Sequence, residues 1–252
     1  MLTLWQDLVV LIATLAAALL FMIFLNRLWP HERRRVNNDL IGWQLTIVGT
    51  TYAVILGFML YTVWTAYSEA QLNFDLEADA LRTVYRLSSG LPEPQRAQLQ
   101  QLSRDYAEAV ITRDFPEMAQ GEPPEGSHAI NEAMWETIMT VKADTPTSSL
   151  FEQQATTELT SLTQHRRVRV LQTVYKLPAI FWAVLIVGAV VTITSAATFG
   201  AGSPRLHAFQ VTSLTLIVTL VLLAIADVNL PYQGWVHVSN YAFVRALQYM
   251  MN

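Results

Sequence analysis

The chain has 252 residues, of which 52% are hydrophobic, only 14% carry a formal charge and none is cysteine. A soluble domain carries about 25% charged residues, so this balance excludes a disordered chain and argues against a water-soluble enzyme of this length. The net charge of −4 excludes a broadly basic nucleic-acid binder, and the lack of cysteine excludes disulfides, thiolate zinc sites, iron–sulfur clusters and cysteine nucleophiles.

The charges are missing in blocks. None occurs in Leu8–Leu25, Ile41–Ser68, Leu177–Pro204 or Leu206–Ala226. A hydrocarbon core about 30 Å thick takes about 20 apolar residues of helix to cross. The blocks therefore predict four transmembrane helices, over 4–27, 42–66, 177–198 and 208–229. The first is read as a retained helix and not a cleaved leader. Met1–Gln6 holds no basic residue, and the segment ends in Phe24, Leu25, Asn26 and Arg27 instead of a small-residue cleavage site. Trp5, Trp29, Trp43, Trp64 and Trp182 fall at or near the ends of these spans, as an aromatic belt requires.

Between the second and third spans the chemistry changes. From Glu69 to Glu158 there are 16 acidic and 6 basic residues, a net of −10. Apolar residues recur at helical spacing, at Leu99, Leu102, Tyr106 and Val110 and again at Ile130, Met134, Ile138 and Val141. Leu72, Leu76, Ala80 and Val84 continue the second membrane helix without a break, and Leu159, Leu162 and Arg166 lead onward into the third. Leu91-Pro92-Glu93-Pro94 separates two helices, Gly121–Gly126 is a loop, and Asp144-Thr145-Pro146 is a turn with an N-cap expected near Thr147 or Ser148. No strand-like alternation is present. The expected fold is all-α: an integral membrane protein with four transmembrane helices and a helical extramembrane bundle between helices two and three. Its segments are 1–66 (two membrane helices and a short basic loop), 67–176 (the acidic bundle) and 177–252 (two membrane helices and a C-terminal tail).

Orientation rests on short-loop charge. Arg27, Arg33, Arg34, Arg35 and Arg205 lie on one side, and Arg166, Arg167, Arg169, Lys176 and Arg245 flank the membrane on the other. The tie is broken by loop length, because long domains translocate largely regardless of charge. That places the short loops on the inner side of the membrane and the termini and acidic bundle on its outer side.

The order of several short motifs resembles the bacterial bestrophin-like membrane domain of unknown function. They are Gly49-Thr50-Thr51-Tyr52-Ala53-Val54-Ile55-Leu56-Gly57-Phe58, then Trp64, then Glu77, Ala78 and Leu81, then Leu91-Pro92. Arg166-Arg167-Val168-Arg169 follows, then Leu177-Pro178, Trp182 and Gly188, and finally Pro231-Tyr232-Gln233-Gly234. At the last motif the family pattern resembles Asp-x-Pro-Phe-x-Gly; here Asn229 takes the place of the acid and Asp227 lies two residues earlier. The resemblance implies an oligomeric membrane protein organised like anion channels. It also implies an inter-helix domain on the cytoplasmic side, opposite to the loop-length argument.

Candidate functional residues follow from helical spacing. Thr46, Thr50, Ala53 and Gly57 share one face of the second membrane helix, either as a close-packing surface or as a pore wall formed by several copies. Thr212, Thr215 and Thr219 repeat the theme on the fourth. Asp227, Asn229, Pro231 and Gly234 are candidates for a pore mouth or gate, since an acid near the membrane boundary faces protein or water. Gly188, Thr192 and Ser195 read as packing. Arg33, Arg34 and Arg35 read as a topology anchor or a contact for anionic lipid, and Arg166, Arg167 and Arg169 as partners of bundle acids or lipid headgroups. Around an axis, the acidic stretch would concentrate cations, against the anion selectivity that the resemblance implies, so the ion stays open.

His31, His128, His165, His207 and His237 have no metal-ligand spacing, and no nucleotide or hydrolase motif occurs. No cofactor, metal, nucleic acid or enzymatic activity is expected. The reading is a homo-oligomer in the lipid bilayer that forms a passive pathway for inorganic ions. The alternative is a membrane-anchored sensory or protein-binding module acting through the bundle.

Overall fold

The computed structural model describes residues 4–251, and among the described residues all regular structure is helical. In chain order the helices are α1 (Leu4–Leu28), α2 (His31–Arg35), α3 (Asn38–Ser88) and α4 (Gln95–Ala109). A π-helical turn (Val110–Asp114) leads to α5 (Phe115–Ala119), and α6 (His128–Met139), α7 (Pro146–Val174), α8 (Ala179–Ala197), α9 (Pro204–Val228) and α10 (Tyr241–Met251) follow. α1, α3, α8 and α9 are long and apolar enough to cross a membrane. The 51 residues of α3 extend about 76 Å at 1.5 Å per residue, more than twice the hydrocarbon thickness. One unbroken helix therefore carries the chain from the apolar run into the acidic one, as its uninterrupted spacing predicts.

Other boundaries differ from the sequence expectation. The helix before the third span does not run on into it: α7 ends at Val174, Tyr175 is extended (φ −74°, ψ 127°), and α8 starts behind Pro178. Proline has no N–H to give and pushes the residue before it out of the helical region. The N-cap of α7 is Thr145, earlier than expected. Its hydroxyl accepts from the Ser148 N–H (3.1 Å) while the Ser148 hydroxyl accepts from the Thr145 N–H (3.1 Å), with Pro146 opening the helix.

The chain forms two compact units, Met1–Thr65 with Lys176–Asn229 and Ala66–Tyr175 with Leu230–Asn252. The C-terminal tail therefore belongs with the acidic helices, not with the last two membrane helices. The reason lies in α10, where Phe243, Ala246 and Met250 fall on one face and are buried. Phe243 packs edge-on against Phe74 (4.9 Å between centroids). The Met250 carbonyl accepts from the Tyr85 hydroxyl (3.1 Å) and from Arg104 Nη1 (3.2 Å), which closes the end of the helix. Leu81, Leu99, Met118, Met134, Leu159 and Leu162 complete this core.

In the membrane unit, polar contacts fix the helix pairs. α1 and α9 meet at the Thr14 and Thr219 hydroxyls, 3.2 Å apart. The Tyr52 hydroxyl on α3 donates to the Leu185 carbonyl on α8 (2.8 Å), and one side of its ring packs against Gly188 one turn on. A Cβ at Gly188 would stand 2.4 Å from two ring carbons. At the short loops, Asn38 exchanges two hydrogen bonds with the backbone of Gly200 (2.9 and 2.8 Å). A Cβ on Gly200 would strike the Arg35 backbone at 2.6 Å, so only glycine allows this approach. Intramembrane packing through small residues and hydroxyls is what lipid, which offers no hydrophobic drive between helices, leaves available.

Gly188→Val is expected to push Tyr52 off its anchor at Leu185 and to cost about 1–3 kcal/mol, the usual penalty for overpacking. Thermal unfolding in detergent should show a lower midpoint for Gly188→Val, and Tyr52→Ala in the same chain should recover part of the loss.

Candidate functional site

The two threonine-bearing helices end up in opposite situations. Thr46, Thr50, Ala53 and Gly57 on α3 are all exposed, and a Cβ on Gly57 would meet nothing within 4 Å. Thr46 satisfies its hydroxyl internally by donating to the Gly42 carbonyl (2.9 Å). On α9, Thr215 and Thr219 are buried and Thr212 is half-buried. Thr215 donates back to Val211 (2.8 Å) and Thr219 meets Thr14. Both border an apolar groove of about 580 Å³ between α1, α8 and α9, alongside Ala18, Trp182 and Ala189. Within one chain, Thr219 of α9 meets a neighbouring helix and Thr215 bonds back to its own, both of them buried, whereas the stripe of α3 lies open.

The expected mouth residues also separate. Asn229 accepts the Leu177 N–H through Oδ1 (3.0 Å), a backbone group that the proline-broken start of α8 leaves without a helical partner. Asp227 is half-buried at the end of α9. Pro231 and Gly234 belong to the other unit, in a loop closed by the Val238 N–H donating to the Pro231 carbonyl (2.7 Å). Gly234 has φ +94° there, a conformation that favours glycine.

The basic cluster does not act as one surface. Arg33 and Arg35 are exposed, but Arg34 is fully buried. Its Nη1 donates to the Ala197 carbonyl at the end of α8 (2.9 Å) and its Nη2 to Asn26 Oδ1. Arg34 therefore corrects the expectation of a lipid or topology anchor. A guanidinium at a helix C-terminus complements the unpaired carbonyls and the negative end of the dipole, and burial holds its pKa below the ordinary arginine value.

The densest polar site lies in the acidic unit, and spacing alone does not reveal it. Arg169 on α7, Glu77 on α3, Asp114 at the end of the π-turn and Ser127 before α6 are all fully buried. Arg169 Nε donates to Glu77 Oε2 (2.8 Å) and Nη2 to Glu77 Oε1 (3.0 Å), and Nη2 also reaches Asp114 Oδ2 (2.9 Å). Tyr106 on α4 donates to Glu77 Oε1 (2.7 Å). Asp114 accepts both the Ser127 N–H (3.0 Å) and its hydroxyl (2.5 Å), and Arg166 Nε donates to the same Ser127 oxygen (3.1 Å). The extra residue of the π-turn shifts the helix register and turns Asp114 inward. Burial opposes the charge on Arg169, but Glu77, Tyr106 and Asp114 outweigh it and raise its pKa well above the usual value. Burial first, then the Glu77 charge, pushes the Tyr106 phenol up as well. Such a cluster fixes which helices meet and in what register. Among the described residues no group of side chains could hold a metal ion. The sequence marks Arg169 as a partner for a bundle acid or for lipid, and the fold names the acids, Glu77 and Asp114; a pairing of residues 92 apart needs the fold.

The sequence model of the Bestrophin-like domain matches residues 12–243. Three solved structures of a bacterial bestrophin homolog from Klebsiella pneumoniae are similar in fold. Two are single-substitution variants, one with a TM-score of 0.76 at 12% identity and the other 0.74 at 13%, each covering 96% of this chain and 99% of that one. The third, phased with zinc, has a TM-score of 0.70 at 12% identity and covers 95% and 97%. No curated protein matches the sequence.

Replacing Arg169 with Met is expected to leave Glu77 and Asp114 buried without a cation, at a cost of about 3–5 kcal/mol, seen as an early unfolding step of the acidic unit in denaturant. Alkaline pH provides a second check. With its pKa raised, Tyr106 stays protonated in the fold while the unfolded chain releases that proton above the ordinary value of 10.0. Its contribution is complete below pH 10 and is lost as pH rises further. Stability followed by circular dichroism should fall above pH 10, and Tyr106→Phe should flatten that slope.

Proposed function

The chain belongs to the Bestrophin-like domain family, and from that premise we propose that several copies assemble around an axis to form a passive pathway for inorganic ions through a multi-pass bacterial inner-membrane protein. One observation carries this reading: the small and hydroxyl-bearing stripe of α3, with Thr46, Thr50 and Gly57, is exposed in the single chain, while Thr215 and Thr219 of α9 are buried within it. An uncharged, hydroxyl-lined face suits passive permeation; a proton relay would require a chain of ionisable groups. Closing a ring needs a heterologous contact repeated by rotation, and an open face on the longest helix leaves room for it. The structures similar to this chain are of a bacterial bestrophin homolog, and that kinship favours a conducting role over a catalytic one.

The same comparison within the chain revises the wall. In this reading α3 lines the pathway and the buried Thr215 and Thr219 do not, while Thr212, half-buried, stays at the edge. The acidic unit, net −10 between Glu69 and Glu158, would raise cation concentration at whichever end of the pathway it surrounds.

Purified protein in liposomes is expected to pass ions down a gradient above protein-free controls. Thr50→Leu should change flux without loss of folding, since the site is exposed; Thr215→Leu, at a buried site, should lower stability first. Equal effects of the two on flux at equal stability would contradict the assignment of the wall to α3. Orientation has its own reading. A phosphatase fused after α10 reports the side that bears the acidic unit: activity places it outside, as the loop-length rule has it, and silence with a fluorescent C-terminal reporter places it in the cytoplasm.

A further inference from the structure

The segment after α9 stands out chemically from the unit it belongs to. From Val228 to Asn252 there is no aspartate or glutamate, in contrast to the net −10 of the stretch between Glu69 and Glu158. Within it, the loop that begins at Pro231 turns back on itself, with the Val238 N–H on the Pro231 carbonyl (2.7 Å) and Gly234 at φ +94°. The closure sorts its side chains. Tyr232 and Gln233 are buried, while Trp235 is 59% and Val236 40% exposed at the tip. Tyr241, 62% exposed, follows at the start of α10, and the Arg245 guanidinium stacks over its ring at 5.8 Å.

The height of this loop along α3 is fixed by two hydrogen bonds. The Tyr67 hydroxyl donates to the His237 carbonyl (3.3 Å), and the Ser239 N–H donates to Gln71 Oε1 (3.0 Å). Residues 67–71 are where the uncharged run of α3, Ile41–Ser68, gives way to charge again at Glu69. The loop therefore sits at the level where the helix leaves the hydrocarbon, and the chain reaches it seven residues after the last membrane helix ends at Val228. Tryptophan and tyrosine favour this depth, because their rings are apolar and their polar edges stay hydrated; an arginine beside them meets phosphate, and carboxylates would be repelled by an anionic surface.

We propose that the Gly234–His237 loop is a membrane-surface anchor of the acidic unit: Trp235 and Val236 seat in the headgroup–acyl boundary of the bilayer, and Arg245 with Tyr241 faces lipid phosphate. The acid-rich unit is then held to the bilayer by a segment that itself carries no acid, in addition to its helical connections.

Trp235→Phe tests this in the full chain. The protein and its variant are placed in nanodiscs of phosphatidylcholine and phosphatidylglycerol, and the difference between their emission isolates Trp235. Lipid brominated just below the glycerol should remove most of that difference emission, and aqueous iodide little of it. Quenching by iodide and not by brominated lipid would overturn the proposal in favour of a solvent-facing loop. Quenching by neither would overturn it in favour of a protein cover such as a second copy. Val236→Cys gives an independent reading, since the chain has no other cysteine. A nitroxide there should be more accessible to oxygen than to a water-soluble nickel chelate; the reverse order would contradict lipid contact. Neither measurement reads ion flux, so its outcome is separate from that of the pathway.

Discussion

A guanidinium cut off from water requires acceptors on every side, and Arg169 finds them on elements distant in sequence. Glu77 comes from α3, Asp114 from the π-turn and Ser127 from the residue before α6. Tyr106 on α4 then completes Glu77. Removing any one member leaves a buried polar group exposed to a low-dielectric interior, so the members stand or fall together. Apolar residues such as Leu81, Leu99 and Leu162 supply most of the burial around it, but they would tolerate a slipped register. The charged cluster does not, because a helix displaced by one residue would point its carboxylate elsewhere. The π-turn and the inward Asp114 are best understood as the local distortion that this registration requires.

The membrane unit obeys a different constraint. Lipid is as apolar as leucine, so helix contact there depends on close approach and on hydroxyl or amide pairs. The Tyr52 ring on Gly188, the Thr14–Thr219 pair and the Asn38–Gly200 exchange are all of this kind. Arg34 at the end of α8 and Asn229 at its start satisfy backbone groups that helix termini leave open. Once these contacts are made, the stripe of Thr46, Thr50 and Gly57 is left outside the set. That remainder, more than any single bonded feature, is what the proposed assembly of copies rests on.

Much of this architecture was legible in the sequence, because the bilayer writes its thickness as long uncharged runs. The four spans and the unbroken passage of α3 out of the apolar run follow from Leu8–Leu25, Ile41–Ser68, Leu177–Pro204 and Leu206–Ala226. What was not legible depended on partners distant in the chain. Helical periodicity marks Thr50 and Thr215 as equals, and only packing against α1 shows that one of them is enclosed. Three consecutive arginines read as one patch, yet Arg34 turns inward to meet Ala197, 163 residues away. The C-terminal tail has no long hydrophobic run to declare its place; the burial of Phe243, Ala246 and Met250 assigns it to the acidic unit. Arg169 reads as a partner for bundle acids or for lipid headgroups, and only the fold shows that Glu77, 92 residues away, is the acid it meets.

The central claim is that the open face of α3, and not α9, borders the ion pathway. A chain without cysteine allows it to be tested by single substitutions. Thr50→Cys and Thr215→Cys are each reconstituted in liposomes, and a small, charged, thiol-specific reagent is added while ion flux is recorded. Reaction at position 50 should change the flux at once, while position 215 should stay unreactive and its flux unchanged. Modification and block at position 215 with no effect at position 50 would contradict the account.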